Sequence, residues 1–173
     1  MGEMKTIVLE PQTELIPYIE KYVDFNNENL RKDAYHQIIC KGKLELFICF
    51  DDIYVSVNNG ARESILSNFF VGISKLNNSL KIKPLSERDC FKGISITFST
   101  EGVHRLLGLQ LKSFANSVVC MDTILGKIGK QLVESILKAT CLKERGNILN
   151  QFFIMLLDKK KISITTIQKF PIR

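Results

Sequence analysis

Histidine is scarce in this sequence: the 173 residues contain two, His36 and His104. A metal-binding barrel draws several histidines and a carboxylate from neighbouring strands. No HxH or HxxE spacing occurs, so no metal site is expected. One exposed and one partly buried structural histidine are expected instead. The cysteines Cys40, Cys49, Cys90, Cys120 and Cys141 are odd in number, widely spaced, and never form CxxC. That argues against a disulfide framework or a zinc site. All five read as small hydrophobes, four of them in or beside apolar runs. GxSxG and the P-loop are missing too, so no catalytic residues are assigned and no cofactor is implied. Two candidate bases make a Ser/His/acid triad a poor fit.

Long hydrophobic runs are also lacking. The stretch "GNILNQFFIMLL" is too short to cross a bilayer and carries Asn and Gln. "MGEMKTIVLEPQ" has no apolar run of signal-peptide length. A cytoplasmic chain with no membrane contact is expected.

What is present suits one soluble domain with a single core: 45% hydrophobic and 24% charged residues. The net charge of +6 is unevenly placed. Residues 1–100 hold 12 Lys and Arg against 13 Asp and Glu, a balance of −1; residues 101–173 hold 12 against 5, a balance of +7. A basic C-terminal part is a candidate nucleic-acid face. Its positives are scattered singly apart from "DKKK", and no aromatics interleave with them. A solvated helical face is the preferred reading.

The hydrophobic period changes once, near residue 99. Before it, short runs read as strands separated by turn residues. "KTIVLE" is the first, ended by Pro11. "TELIPYIEKYV" reads as a short helix or turn entering an extended segment. Tyr35–Cys40 and Leu44–Phe50 read as an antiparallel pair turning at Lys41-Gly42-Lys43. Phe47 and Cys49 lie opposite Leu44, Leu46 and Ile48, so both faces of that strand are expected to be covered in part. Asp51-Asp52 resembles a carboxylate pair. Adjacent strand residues point to opposite faces, so it reads as a tight turn into Ile53–Val57. Asn58-Asn59-Gly60 and "LNNS" are further turns. "SILSNFFVGIS", "LKIKPL" and "DCFKGISITFS" complete the strands. Such a series suggests an antiparallel barrel or sandwich.

From Ser99 onward the period is helical. Ser99 or Thr100 caps "TEGVHRLLG", and Gly108 ends it. "TILGKIGKQLVESILKAT" is a second helix, capped by Asp122 or Thr123, with Gly126 and Gly129 making its first turns irregular. A third is expected over about residues 142–160, with Ile148, Leu149, Phe152, Phe153, Leu156 and Leu157 on a wide apolar face. The expected fold is α+β: an antiparallel, cupin-like or jelly-roll-like barrel over residues 1–98, then two to three helices over 99–160. Residues 161–173 read as a tail or linker.

Strand aromatics are the remaining candidates for function. For any single ring, a filled core is the simpler reading. A small barrel also holds one small molecule. The candidate pocket residues are Tyr35, Phe47, Cys49, Tyr54, Phe69 and Phe91.

The stretch "GISITFSTEGVHRLLGLQLKSFANSVVCMDTILG" resembles the strand-to-helix corner of the N-terminal sensor domain in AraC-family transcription regulators. The matching positions are Gly93, Ile94, Phe98, Gly102, Leu106, Leu107, Gly108, Asn116, Asp122, Leu125 and Gly126. "LIPYIEKYVDF", "KGKLELFICFDD", "FFVGI" and "ERGNILNQFFIMLL" fit as well. Thr100 departs from the pattern, which has a proline there. The resemblance implies a non-catalytic domain that senses a small-molecule effector and forms a homodimer. Ile148, Phe152, Phe153 and Leu156 are the candidate dimer face. DNA contact is then expected only through a helix-turn-helix half, about a hundred residues, that the sequence does not contain. Two rivals remain. A cupin-like enzyme would bring His36 together with a carboxylate such as Glu45. A direct nucleic-acid binder would use the basic C-terminal part.

Overall fold

In the computed structural model, the residues described are 5–27, 36–38, 42–57, 62–72, 80–85, 91–115 and 117–168. The strands are β1 (Lys5–Leu9), β2 (Ile19–Asn27), β3 (His36–Ile38), β4 (Leu44–Val57), β5 (Arg62–Gly72), β6 (Leu80–Pro84) and β7 (Phe91–Phe98). Helix α1 (Thr100–Leu107) follows. A short strand β8 (Ser117–Cys120) precedes α2 (Met121–Lys138) and α3 (Leu142–Gln168). The α+β class of an antiparallel sheet followed by helices therefore holds. The helical part is not purely helical, since β8 returns to pair with β5.

All ladders are antiparallel. The main path runs β1-β2-β7-β4-β5-β8, with β6 joining β4 to β3. Among the described residues these ladders do not close into a ring. Among the described residues, the expected hairpin between Tyr35–Cys40 and Leu44–Phe50 is not formed. The start of β4 is already paired on both sides, with β7 and with β5, so β3 pairs with β6 instead. Gly42 does turn the chain before β4, at φ +71. Asp51-Asp52 is not a turn either. Strand β4 runs through it, and the residues between Ile48 and Ile53 face Ser67 as a bulge. A bulge bends a strand while keeping it paired. After the bend β4 pairs with β6 where β7 had been.

Side-chain alternation gives the sheet two covered faces. Leu44, Leu46, Ile48, Ile94, Ile96, Phe98 and Tyr22 pack against the helices in one cluster. Phe25, Phe47, Cys49, Ile53, Val55, Phe69, Val71, Ile82 and Phe91 form a second, built from strands alone. Covering on both faces of β4 was expected from Phe47 and Cys49.

The corner into α1 is fixed by side-chain chemistry. Ser99 Oγ accepts from Gly102 N–H at 2.9 Å and donates to Pro17 O at 2.7 Å. A Cβ at Gly102 would lie 1.8 Å from Tyr18 O, so only glycine lets the helix sit this close to the entry of β2. Gly108 closes α1 at φ +70. Helix α2 begins at Met121 with no side-chain cap, so the caps expected from Asp122 or Thr123 are not formed. It kinks at Gly126, φ +53, where irregularity was expected. Helix α3 does not stop near residue 160. No glycine or proline lies between Gly146 and Pro171, and the helix runs on to Gln168 through the segment expected to be a tail.

Candidate functional site

The interior cluster is built by strand alternation. Phe25 on β2, Phe47 and Cys49 on β4, Phe69 on β5 and Phe91 on β7 all project to the same side. Their rings touch in series. Phe91 stacks on Phe25 with centroids 4.7 Å apart, Phe25 tilts against Phe47 at 6.2 Å, and Phe47 stacks on Phe69 at 5.4 Å. Offset stacking suits the ring quadrupoles and adds to simple burial. Burial pushes the Cys49 thiol well above its ordinary range, and the Asp51 carboxylate adds to the rise. The thiol is inert, a space-filler among rings.

One end of this face is polar. The register aligns Lys21, Thr97, Glu45, Val71 and Val118 across five strands. Thr97 is 3% exposed, and its Oγ1 has no hydrogen-bond partner among the described residues. Desolvation raises the pKa of Glu45; Glu20 adds to the rise, while Lys21 and Lys43 oppose it.

On the opposite face the same strands hold α3. Tyr22 is fully buried, and its hydroxyl donates to Asn150 Oδ1 at 3.0 Å. The same Oδ1 accepts from Gln12 N–H at 3.1 Å. Burial raises the Tyr22 pKa far above its usual value, so it stays a neutral donor. A second tie joins Arg145 Nη1 to Asp24 Oδ2 at 3.1 Å, with the guanidinium 4.6 Å from the Phe50 ring centroid.

Phe47, Cys49, Phe69 and Phe91 are thus brought together from the expected pocket set. Tyr54 does not join them. It alternates with Ile53 and Val55, which face the interior, and its ladder partner Ile65 is exposed. Tyr35 lies outside the described residues, as do Cys40, Cys90, Asn116 and the turns at Asn58-Asn59-Gly60 and "LNNS". Phe25 was missed, because its strand reads as a continuation of a proline-bearing turn. The expected dimer face is largely used within the chain. Phe152, Phe153 and Leu156 are buried against the sheet and neighbouring helices, and Ile148 is partly buried beside them. Cys120 and Cys141 are exposed, so they are not buried hydrophobes as expected. His104 is exposed on α1. His36 stands level with Ile82 and, through it, Val55, at the opposite end of β4 from Glu45. His36 and Glu45 therefore occupy different register positions of the sheet.

Among the described residues no group of three or more His, Cys, Asp or Glu is placed to hold a metal ion. Among them, too, no helix is long and apolar enough to cross a membrane.

No family model matches the chain, and no curated protein matches it. Solved structures resemble part of it. The plu4264 protein from Photorhabdus luminescens is 14% identical over 59% of this chain and 82% of that one, with a TM-score of 0.40. A cobalt form of HppE in complex with Tris buffer is 12% identical over 57% of this chain and 55% of that one, at 0.42. A cupin domain, bp2299, from Bordetella pertussis Tohama I is 10% identical over 57% of this chain and 95% of that one, at 0.37. Scores this low carry no argument about what this chain does.

Proposed function

We propose that the chain is a non-catalytic, ligand-sensing and dimerising domain of an AraC-like transcription regulator, with the aromatic interior as its effector pocket. The observation that carries this reading is the shared use of β2, β4 and β7. Each presents interior residues on one face and supports the helices with the other. Tyr22 and Asp24, which hold α3, alternate along β2 with Val23 and Phe25. A ligand that parts the rings by a fraction of an ångström therefore moves the anchor points of α3 through the thickness of one strand. Such a ligand acts only if it binds two arrangements with different affinity. The sequence resemblance supplies the regulator context and the homodimer. DNA contact belongs to a helix-turn-helix half outside this sequence.

A metabolite screen by thermal shift, with light scattering on the same sample, tests the reading. A ligand at about a hundred times its dissociation constant adds about 2.7 kcal/mol. The expected hit also changes hydrogen exchange in α3 and fails against Phe69→Ala. A monomer that no compound stabilises would sink the proposal.

A further inference from the structure

A cavity lies on the helix face of the sheet, away from the aromatic interior. It measures about 320 Å³ and opens between the Gly42-Lys43 turn, the end of β5 at Gly72, and the 3-10 helix Leu111–Phe114 with Ala115. Its origin is legible in the glycines. A Cβ on Gly72 would lie 2.5 Å from Phe114 O, so the 3-10 segment rests directly on the β5 backbone. Gly42 faces nothing within 4 Å, which leaves the adjoining space open. The volume is at the low end of the range for ligand sites, about 300–1,000 Å³.

The lining is almost wholly apolar: Leu111, Phe114, Ala115 and the stems of Lys43 and Lys112. Lysine stems cover apolar surface while their ammonium heads reach water. The two heads differ. Lys43 Nζ is engaged by both carboxylate oxygens of Glu20. Lys112 is exposed and has no carboxylate partner among the described residues. An apolar cleft with one uncommitted cation at its mouth has the recognition chemistry of a small amphipathic anion.

We propose that this cavity binds a medium-chain carboxylate, its apolar body against Leu111, Phe114 and Ala115 and its carboxylate against Lys112 Nζ. The site is separate from the aromatic interior, so either can fail without the other. Occupancy would fix the segment joining α1 to β8.

The test is calorimetric titration of the full chain with octanoate, octan-1-ol and octylamine at low and high salt. Octanoate is expected to bind best, and to weaken as salt screens the lysine. Lys112→Met, which keeps the stem, is expected to raise the octanoate dissociation constant at least tenfold and to leave octan-1-ol unchanged. Ala115→Leu, at an exposed position, is expected to abolish binding of both. Circular dichroism would confirm that both variants fold. Three results would each overturn the proposal: no octanoate binding, equal binding of octylamine, or octanoate binding that survives both variants but is lost in Phe69→Ala.

Discussion

The two apolar clusters of this molecule are separated only by the thickness of a sheet, yet they are assembled differently. The helix-side cluster recruits residues from strands and all three helices, so its integrity depends on segments distant in sequence. The interior cluster is made by strands alone and is dominated by four phenylalanines. The first is stitched by specific polar contacts, Tyr22 to Asn150 and Arg145 to Asp24. In the second, ring packing governs, with Ser95 opposite Phe47 and the Glu45–Thr97 end as its polar members. A cluster tied by directional bonds has one good arrangement. A cluster of rings can re-pack around a guest at smaller cost.

The largest expected effect separates the clusters by truncation. Phe153 is fully buried and meets Phe98 edge-on at 5.6 Å. Phe153→Ala should cost about 3–5 kcal/mol in urea unfolding. Loss of less than about 1 kcal/mol would show that α3 is not part of the cooperative core. Next comes the polar stitch. Asn150→Ala strands the buried Tyr22 hydroxyl and should cost about 1–3 kcal/mol. Adding Tyr22→Phe should recover part of that loss, and strict additivity in the double-mutant cycle would refute the contact's importance.

A smaller effect comes from Glu45. Its folded pKa is raised, so its favourable contribution is present below the unfolded value and is lost as pH rises through the folded one. Glu45→Gln should therefore match the parent in acid and exceed it in stability as pH climbs from about 4 towards neutrality. A difference that is constant with pH would contradict the desolvation. Smallest is Lys43→Ala. The Lys43–Glu20 pair is well exposed, so about 0–1 kcal/mol is expected from thermal unfolding. A larger loss would mean that the Gly42-Lys43 turn itself supports the sheet.

Legibility in the sequence followed the range of each interaction. The Ser99 cap and the Gly108 stop involve neighbours in the chain, and both were readable. So were Phe47, Cys49, Phe69 and Phe91, because alternation places them without knowledge of the partner strand. The partner of β3 was not readable, since two longer ladders outcompeted the nearby hairpin for β4. The bulge at Asp51-Asp52 leaves the same signature as a turn until the pairing is known. Tyr54 was chosen for its ring, and its face depends on the register. Tyr22 and Asn150 are 128 residues apart, and neither residue carries a sign of the other. The full length of α3 was readable from the missing glycine and proline. The expectation nevertheless ended it near residue 160, before residues read as a tail or linker.

That unbroken length has a mechanical meaning. Its packed face ends at Leu157, and at about 1.5 Å per residue the helix rises about 16 Å from there to Gln168. A tilt of about 5° at Leu157 would displace the end of the helix by about 1.4 Å. Helix α3 would then act as a lever pivoting at the edge of its packed face, beyond the Tyr22–Asn150 contact.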